Sequence, residues 1–152
     1  MRFATNGGQM SIQAILNNKG AEVVSIEAGA SVRSALQRMD ERQIGALIVC
    51  TPSEENCGIF TERDVMRALV HGDIDVLNSP VSEHMSARPQ SVSFETSIQE
   101  AMETMTQMRF RHMPVLDAGR VCGIISLGDL VNFRIHETER EAQALKQYIQ
   151  TA

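Results

Sequence analysis

Twice along this chain a hydroxyl stands three residues ahead of an aspartate, in Thr61-Glu62-Arg63-Asp64 and in Ser126-Leu127-Gly128-Asp129. Each pattern follows a short apolar run and opens a helix-forming stretch, so each falls at a strand-to-helix junction. There the hydroxyl accepts a bond from an exposed helix N–H and the carboxylate bonds back, the arrangement of a capping box. The same junction turns free N–H groups and the positive end of the helix dipole toward an anion such as phosphate. An aspartate one turn in is placed to accept both hydroxyls of a ribose. The pattern serves either as a cap alone or as a seat for the sugar and phosphate of a nucleotide. Each copy by itself reads most simply as a cap, and only their recurrence argues for the second use.

That recurrence belongs to a longer repeat. Cys57-Gly58-Ile59-Phe60 returns as Cys122-Gly123-Ile124-Ile125, and 123 − 58, 126 − 61 and 129 − 64 all equal 65. Upstream the offset is 66, pairing Ser25 with Ser91, Ser31 with Ser97, Ala35 with Ala101, Met39 with Met105 and Val49 with Val115. The missing residue falls in the turn 117–120, whose longer counterpart is 51–56, and turns tolerate such changes. Val32, Ala35, Leu36 and Met39 lie at i, i+3, i+4 and i+7, the stripe of a half-buried helix, and Ile98, Ala101, Met102 and Met105 repeat it. The runs 46–50 and 113–116 read as strands, with 58–60 and 123–125 as their hairpin partners. Closing helices are expected over 62–71 and 128–136, extended pieces over 22–26 and 89–92, and a separate C-terminal helix from 137 to about 148.

Breaks at His71-Gly72-Asp73 and Asn78-Ser79-Pro80 divide the copies. The expected organisation is a flexible tail over 1–10, one unit over 11–78, a second over 79–136 and a terminal helix over 137–152. Units of about 60 residues are marginal alone. Two β-α-β-β-α units should therefore pack through their sheets into one pseudo-symmetric α/β (α+β) module.

The 152 residues are 43% hydrophobic and 22% charged, ordinary for a globular chain, and carry a net charge of −5. That balance argues against nucleic acid as the main partner, because counterion release needs a basic face. No apolar run approaches the roughly 20 residues of a membrane span, and residues 1–8 lack a signal-peptide core; Met10 is an alternative start. Three cysteines, an odd count without a CxxC pair, suit small buried side chains more than disulfides. A reduced, cytoplasmic setting is expected.

Other chemistry finds little support. His71, His84 and His136 read as surface or linker histidines, and no ligand spacing points to a metal. The methionines at 102, 105, 108 and 113 read as core filling. No phosphate loop or dinucleotide fingerprint occurs, and no nucleophile–base pair suggests an enzyme. A redox role for Cys57 or Cys122 would require a reactive thiol.

The two motifs in register, with Arg111-His112-Met113-Pro114-Val115 and the lead-in Val81-Ser82-Glu83-His84-Met85-Ser86, resemble a tandem pair of cystathionine-β-synthase (CBS) domains, or Bateman module, of the small stand-alone bacterial type. The resemblance covers about 16–133. It implies a regulatory module without catalytic cofactor whose two clefts bind adenosine-containing ligands (AMP, ATP or NAD(H)) and signal occupancy to an unidentified effector protein. It also implies a homodimer, four CBS units in a flat disk. Carried onto this chain, Asp64 and Asp129 would bind ribose, with Thr61 and Ser126 beside sugar or phosphate. Arg111 and His112 would face phosphate, and Gly45 and Ala46 hold their places in the first copy, so the clefts should differ. Arg63, where the second copy has Gly128, either contacts a phosphate or is a solvated helix residue. Adenine would lie near Val24, Ile26, Ile44 and Ala46 in one copy and near Val92, Phe110, His112, Met113 and Pro114 in the other. The competing reading is an interaction or dimerisation module with unoccupied clefts.

Overall fold

A computed structural model describes residues 11–20, 22–52 and 57–151; the expected tail over 1–10 lies outside them. Helix α1 (Ile12–Lys19) leads into β1 (Ser25–Glu27), α2 (Val32–Arg42), the hairpin β2 (Ala46–Cys50) and β3 (Gly58–Thr61), and α3 (Glu62–Val70). Short 3-10 turns at Val76–Asn78 and Val81–Glu83 carry the chain to α4 (Ile98–Met108), the hairpin β4 (His112–Asp117) and β5 (Arg120–Ser126), and α5 (Leu127–Thr151).

The two copies form their elements for the same local reasons. Ser31 caps α2 by accepting the Ser34 N–H (3.1 Å), and Ser97 caps α4 by accepting that of Glu100 (3.1 Å). Val32, Ala35 and Met39 bury one stripe of α2; Ile98, Ala101 and Met105 bury the matching stripe of α4. Both helices end on a left-handed residue, Gln43 (φ 52°) and Arg109 (φ 57°), which turns the chain straight into the next strand.

The sheets differ slightly. β1 pairs in parallel with β2, and β2 antiparallel with β3. In the second copy the expected extended piece at 89–92 yields only a single parallel bridge, Val92 to Val115, beside Pro89, which has no N–H to give a ladder. β4 and β5 slip register between Val115 and Leu116, at the shorter turn. Leu47, Val49 and Phe60 face the helices of their unit, yet Ile48 and Ile59, on the opposite face, are buried too. Packing of one sheet against the other accounts for that double burial.

Each unit's lead-in crosses to the other unit. Ile12, Ile15 and Leu16 of α1 join the core of Met113, Val115, Ile125 and Leu130, whereas Val81 and Met85 join that of Leu47, Val49 and Phe60. Backbone bonds match: Val81 N–H to Ala30 O (2.8 Å) in one unit, Ile12 N–H to Thr96 O (3.2 Å) in the other. The division at 78/79 thus follows the sequence, while packing runs across it.

One expectation is corrected outright. No second terminal helix starts at 137, because α5 runs unbroken over 25 residues. No glycine or proline follows Gly128 in the helix, so nothing interrupts its hydrogen bonds. Among the described residues no helix is long and apolar enough to cross a membrane.

Candidate functional site

The strand–helix junction of the first unit opens onto a cleft of about 360 Å³. Thr61 ends β3 and precedes α3, and both its N–H (2.8 Å) and its hydroxyl (3.3 Å) donate to Asp64 Oδ2. The far wall comes from the second unit: the segment Arg88, Pro89 and Gln90, then Met108 to His112 at the end of α4. Five arginines, Arg63, Arg67, Arg88, Arg109 and Arg111, line this cleft with His112, against two carboxylates, Glu62 and Asp64. A strongly basic cleft therefore lies within an acidic chain. Low-dielectric walls focus such a field and favour phosphates, which guanidinium groups bind in a fork. The Arg63 guanidinium also donates to the Arg109 carbonyl and ties the two walls together.

This arrangement corrects the sequence reading of which residues share a cleft. The sequence groups Arg111 and His112 with Ser126 and Asp129 of their own copy; both line the cleft of Thr61 and Asp64, while His112 also stands opposite Ser126 in the β4–β5 ladder. The reason is the packing of the units, which sets the hydroxyl–aspartate junction of one against the strand entry of the other. Of the positions expected near adenine, Phe110 lines this cleft. Val24 and Ile44 pack against the first unit's core, and Ala46 is buried beside Thr61 in the β2–β3 ladder. Ile26, Val92 and Met113 are core residues, and Pro114 is buried opposite Ile124, because strand alternation turns their side chains into the packed layers.

The sequence reading missed Arg67, Arg88 and Arg109. Arg67 lies four residues beyond Arg63, on the same helix face, so its spacing was a usable signal. Arg88 and Arg109 reach the cleft only through the docking of the units.

At the second junction Ser126 and Asp129 form a reciprocal cap, with Ser126 N–H to Asp129 Oδ2 at 2.8 Å and Asp129 N–H to Ser126 Oγ at 3.1 Å. Lys19 reaches across from α1, its Nζ 2.6 Å from Asp129 Oδ2 and 3.1 Å from Ile124 O. Burial pushes the Asp129 carboxyl up, but the Lys19 and Ser126 bonds outweigh it and hold it below its ordinary value. Asp64 goes the other way: it is 8% exposed, and burial raises it despite the Thr61 bonds and the charges of Arg67 and His84.

His112 sits where the units meet. A Cβ on Gly45 would come within 3.2 Å of the His112 ring, so the first copy's glycine makes room for the second copy's imidazole. Burial lowers the His112 pKa from 6.5, against the attraction of Asp129 and Glu62 and together with repulsion from Lys19 and Arg111. A lowered histidine binds protons more weakly folded than unfolded, so its contribution is complete above pH 6.5 and is lost as pH falls through the window below it. His112→Gln should flatten the dependence of Tm on pH between about 7 and 5, and calorimetric scans across that range measure it; an unchanged slope would contradict the assignment.

Among the other histidines, His71 and His136 are exposed as expected. His84 lies half-buried in the segment joining the units, its Nε2 2.7 Å from Ser79 Oγ and 3.6 Å from Asp73 Oδ2. The three cysteines are half-buried. Burial and the Asp117 charge push the Cys122 thiol up, away from the thiolate that redox chemistry needs.

Two interlocked β-α-β-β-α units, each with a hydroxyl–aspartate junction at a strand–helix turn, define a tandem-repeat module. The CBS domain description matches residues 18–71 and 81–136, and the chain belongs to that family. It is 35% identical over 124 residues to a mitochondrial CBS domain-containing protein of Arabidopsis thaliana, covering 79% of this chain and 60% of that protein. A further Arabidopsis thaliana CBS domain-containing protein is 29% identical over 137 residues, covering 90% of this chain and 25% of that protein. The chain thus represents only part of the length of these relatives. Among solved structures, a CBS-domain containing protein from Agrobacterium tumefaciens superposes with a TM-score of 0.78 at 33% identity, covering 88% of this chain and 98% of that one. A CBS domain protein from Pyrobaculum aerophilum, complexed with AMP, shares the fold with a TM-score of 0.68 at 20% identity, covering 79% and 89%.

Proposed function

We propose that this chain is a regulatory module that binds an adenine nucleotide (AMP, ATP or NAD(H)) in the cleft between its units and passes occupancy to a partner protein. The carrying observation is the cleft itself: a buried aspartate and a threonine for the ribose, five arginines for the phosphates and Phe110 for the base, drawn from both units. A ligand touching both walls favours the conformation whose cleft it fits better, and that difference is the signal. The AMP complex of the Pyrobaculum protein is consistent with this choice at the level of fold. Titration calorimetry against AMP, ADP, ATP, NAD, NADH and S-adenosylmethionine tests it. Binding below millimolar by at least one adenylate is expected, and its absence for all of them would sink the proposal.

The homodimer is part of the same proposal. Met66 and Val70 on α3 and their counterparts Val131 and Ile135 on α5 are exposed apolar side chains, a pattern that favours helix-mediated self-association. Light scattering that returns a monomer mass at micromolar concentration would remove the dimer and leave the binding claim intact.

A further inference from the structure

The two clefts differ most at one junction. In the first unit the outer edge of β3 is closed by backbone, since Ile59 and Ser86 exchange N–H···O bonds of 3.0 and 2.9 Å. The matching edge-strand residue of the second unit is Ile124. Gly20 donates its N–H to Leu16 O (2.9 Å) and finishes α1. The Lys19 ammonium at the end of that helix bonds Ile124 O and Asp129 Oδ2 together. In the first unit Met85 packs beside Gly58, as Leu16 packs beside Gly123 in the second, and brings no charge toward Asp64.

We infer that Lys19 is the specificity-determining residue that closes the second cleft, so that each chain binds one nucleotide, at Thr61–Asp64. This rests on the nucleotide-binding reading above. Asp129 Oδ2 already holds an ammonium at 2.6 Å and the Ser126 amide at 2.8 Å. A ribose hydroxyl, a neutral donor, competes poorly with a charge-assisted bond of that length. An independent observation agrees. The counterparts of Arg63, Arg67, Arg109 and Arg111 are Gly128, Asn132, Gln43 and Gly45, none of them basic. Arg42, next to Gln43, pairs with Glu22 at 2.8 Å. The second cleft therefore offers phosphate little, and its ribose carboxylate is engaged from within the chain.

Calorimetric titration of AMP into the full chain, the Lys19→Met variant and the Lys19→Arg control tests the inference. Lys19→Met removes the ammonium and keeps an unbranched side chain of similar length. Lys19 is 42% exposed, so the fold should persist, which a thermal melt checks. One AMP per chain is expected for the wild type and Lys19→Arg, and a second, weaker site for Lys19→Met that disappears when Asp129→Ala is added. Two sites in the wild type, or one site in Lys19→Met, would overturn the inference while leaving the first cleft standing. No heat from any of the proteins would remove the AMP reading and the inference with it.

Discussion

Replacing Phe60 with alanine is expected to lower stability by about 3–5 kcal/mol, the usual cost of emptying a closed aromatic site. Phe60 is fully buried among Leu47, Val49 and Ala68. Its site is walled by the first unit's own strands and helices and by the crossing 76–85 segment, so little can collapse into the void. Against a total stability of about 5–15 kcal/mol that is a large fraction, and for a chain of this size it corresponds to a fall in Tm of order 10 °C. Phe60 also immediately precedes Thr61, so the hole should loosen the junction that holds Asp64. Thermal melts with and without nucleotide check both effects; a fall of less than about 1 kcal/mol would mean the site repacks far more freely than the structure implies.

Asp64→Ala is expected to weaken adenylate binding by about 10- to 100-fold, the cost of losing hydrogen bonds to a charged acceptor. The same change also removes the helix cap, which costs about 0.5–2 kcal/mol, but it relieves a carboxylate that burial drives toward its neutral form. Stability should therefore move less than affinity. Asp64→Asn separates the roles, since an amide oxygen can still accept the Thr61 N–H but carries no charge for a ribose. Calorimetry on both variants gives the comparison, and an affinity unchanged by Asp64→Ala would count against the ribose role.

The contrast between the junctions shows how far local sequence reaches. Thr61-x-x-Asp64 and Ser126-x-x-Asp129 are legible because a cap is satisfied within one turn, and both caps form. The stripes of α2 and α4 were legible for a similar reason, since helical period and capping serine act over a few residues. The continuity of α5 was not anticipated, although its lack of glycine and proline after residue 128 was present in the sequence; its polar composition gives no core-facing period beyond 137 to follow.

What the sequence determined by itself was the duplication, the order of elements within each copy, and the placing of a hydroxyl and a carboxylate at each helix start. Those properties rest on propensity, periodicity and bonds between near neighbours. Only the tertiary structure decided which residues share a cleft: Arg111 and His112 with Asp64, and Lys19 with Asp129, 110 residues away. Contacts of that separation come from the docking of one sheet on the other and the exchange of lead-ins, a rigid-body geometry that no local pattern encodes. The duplication supplied two similar junctions, and the packing gave one an arginine-lined cleft and the other a lysine.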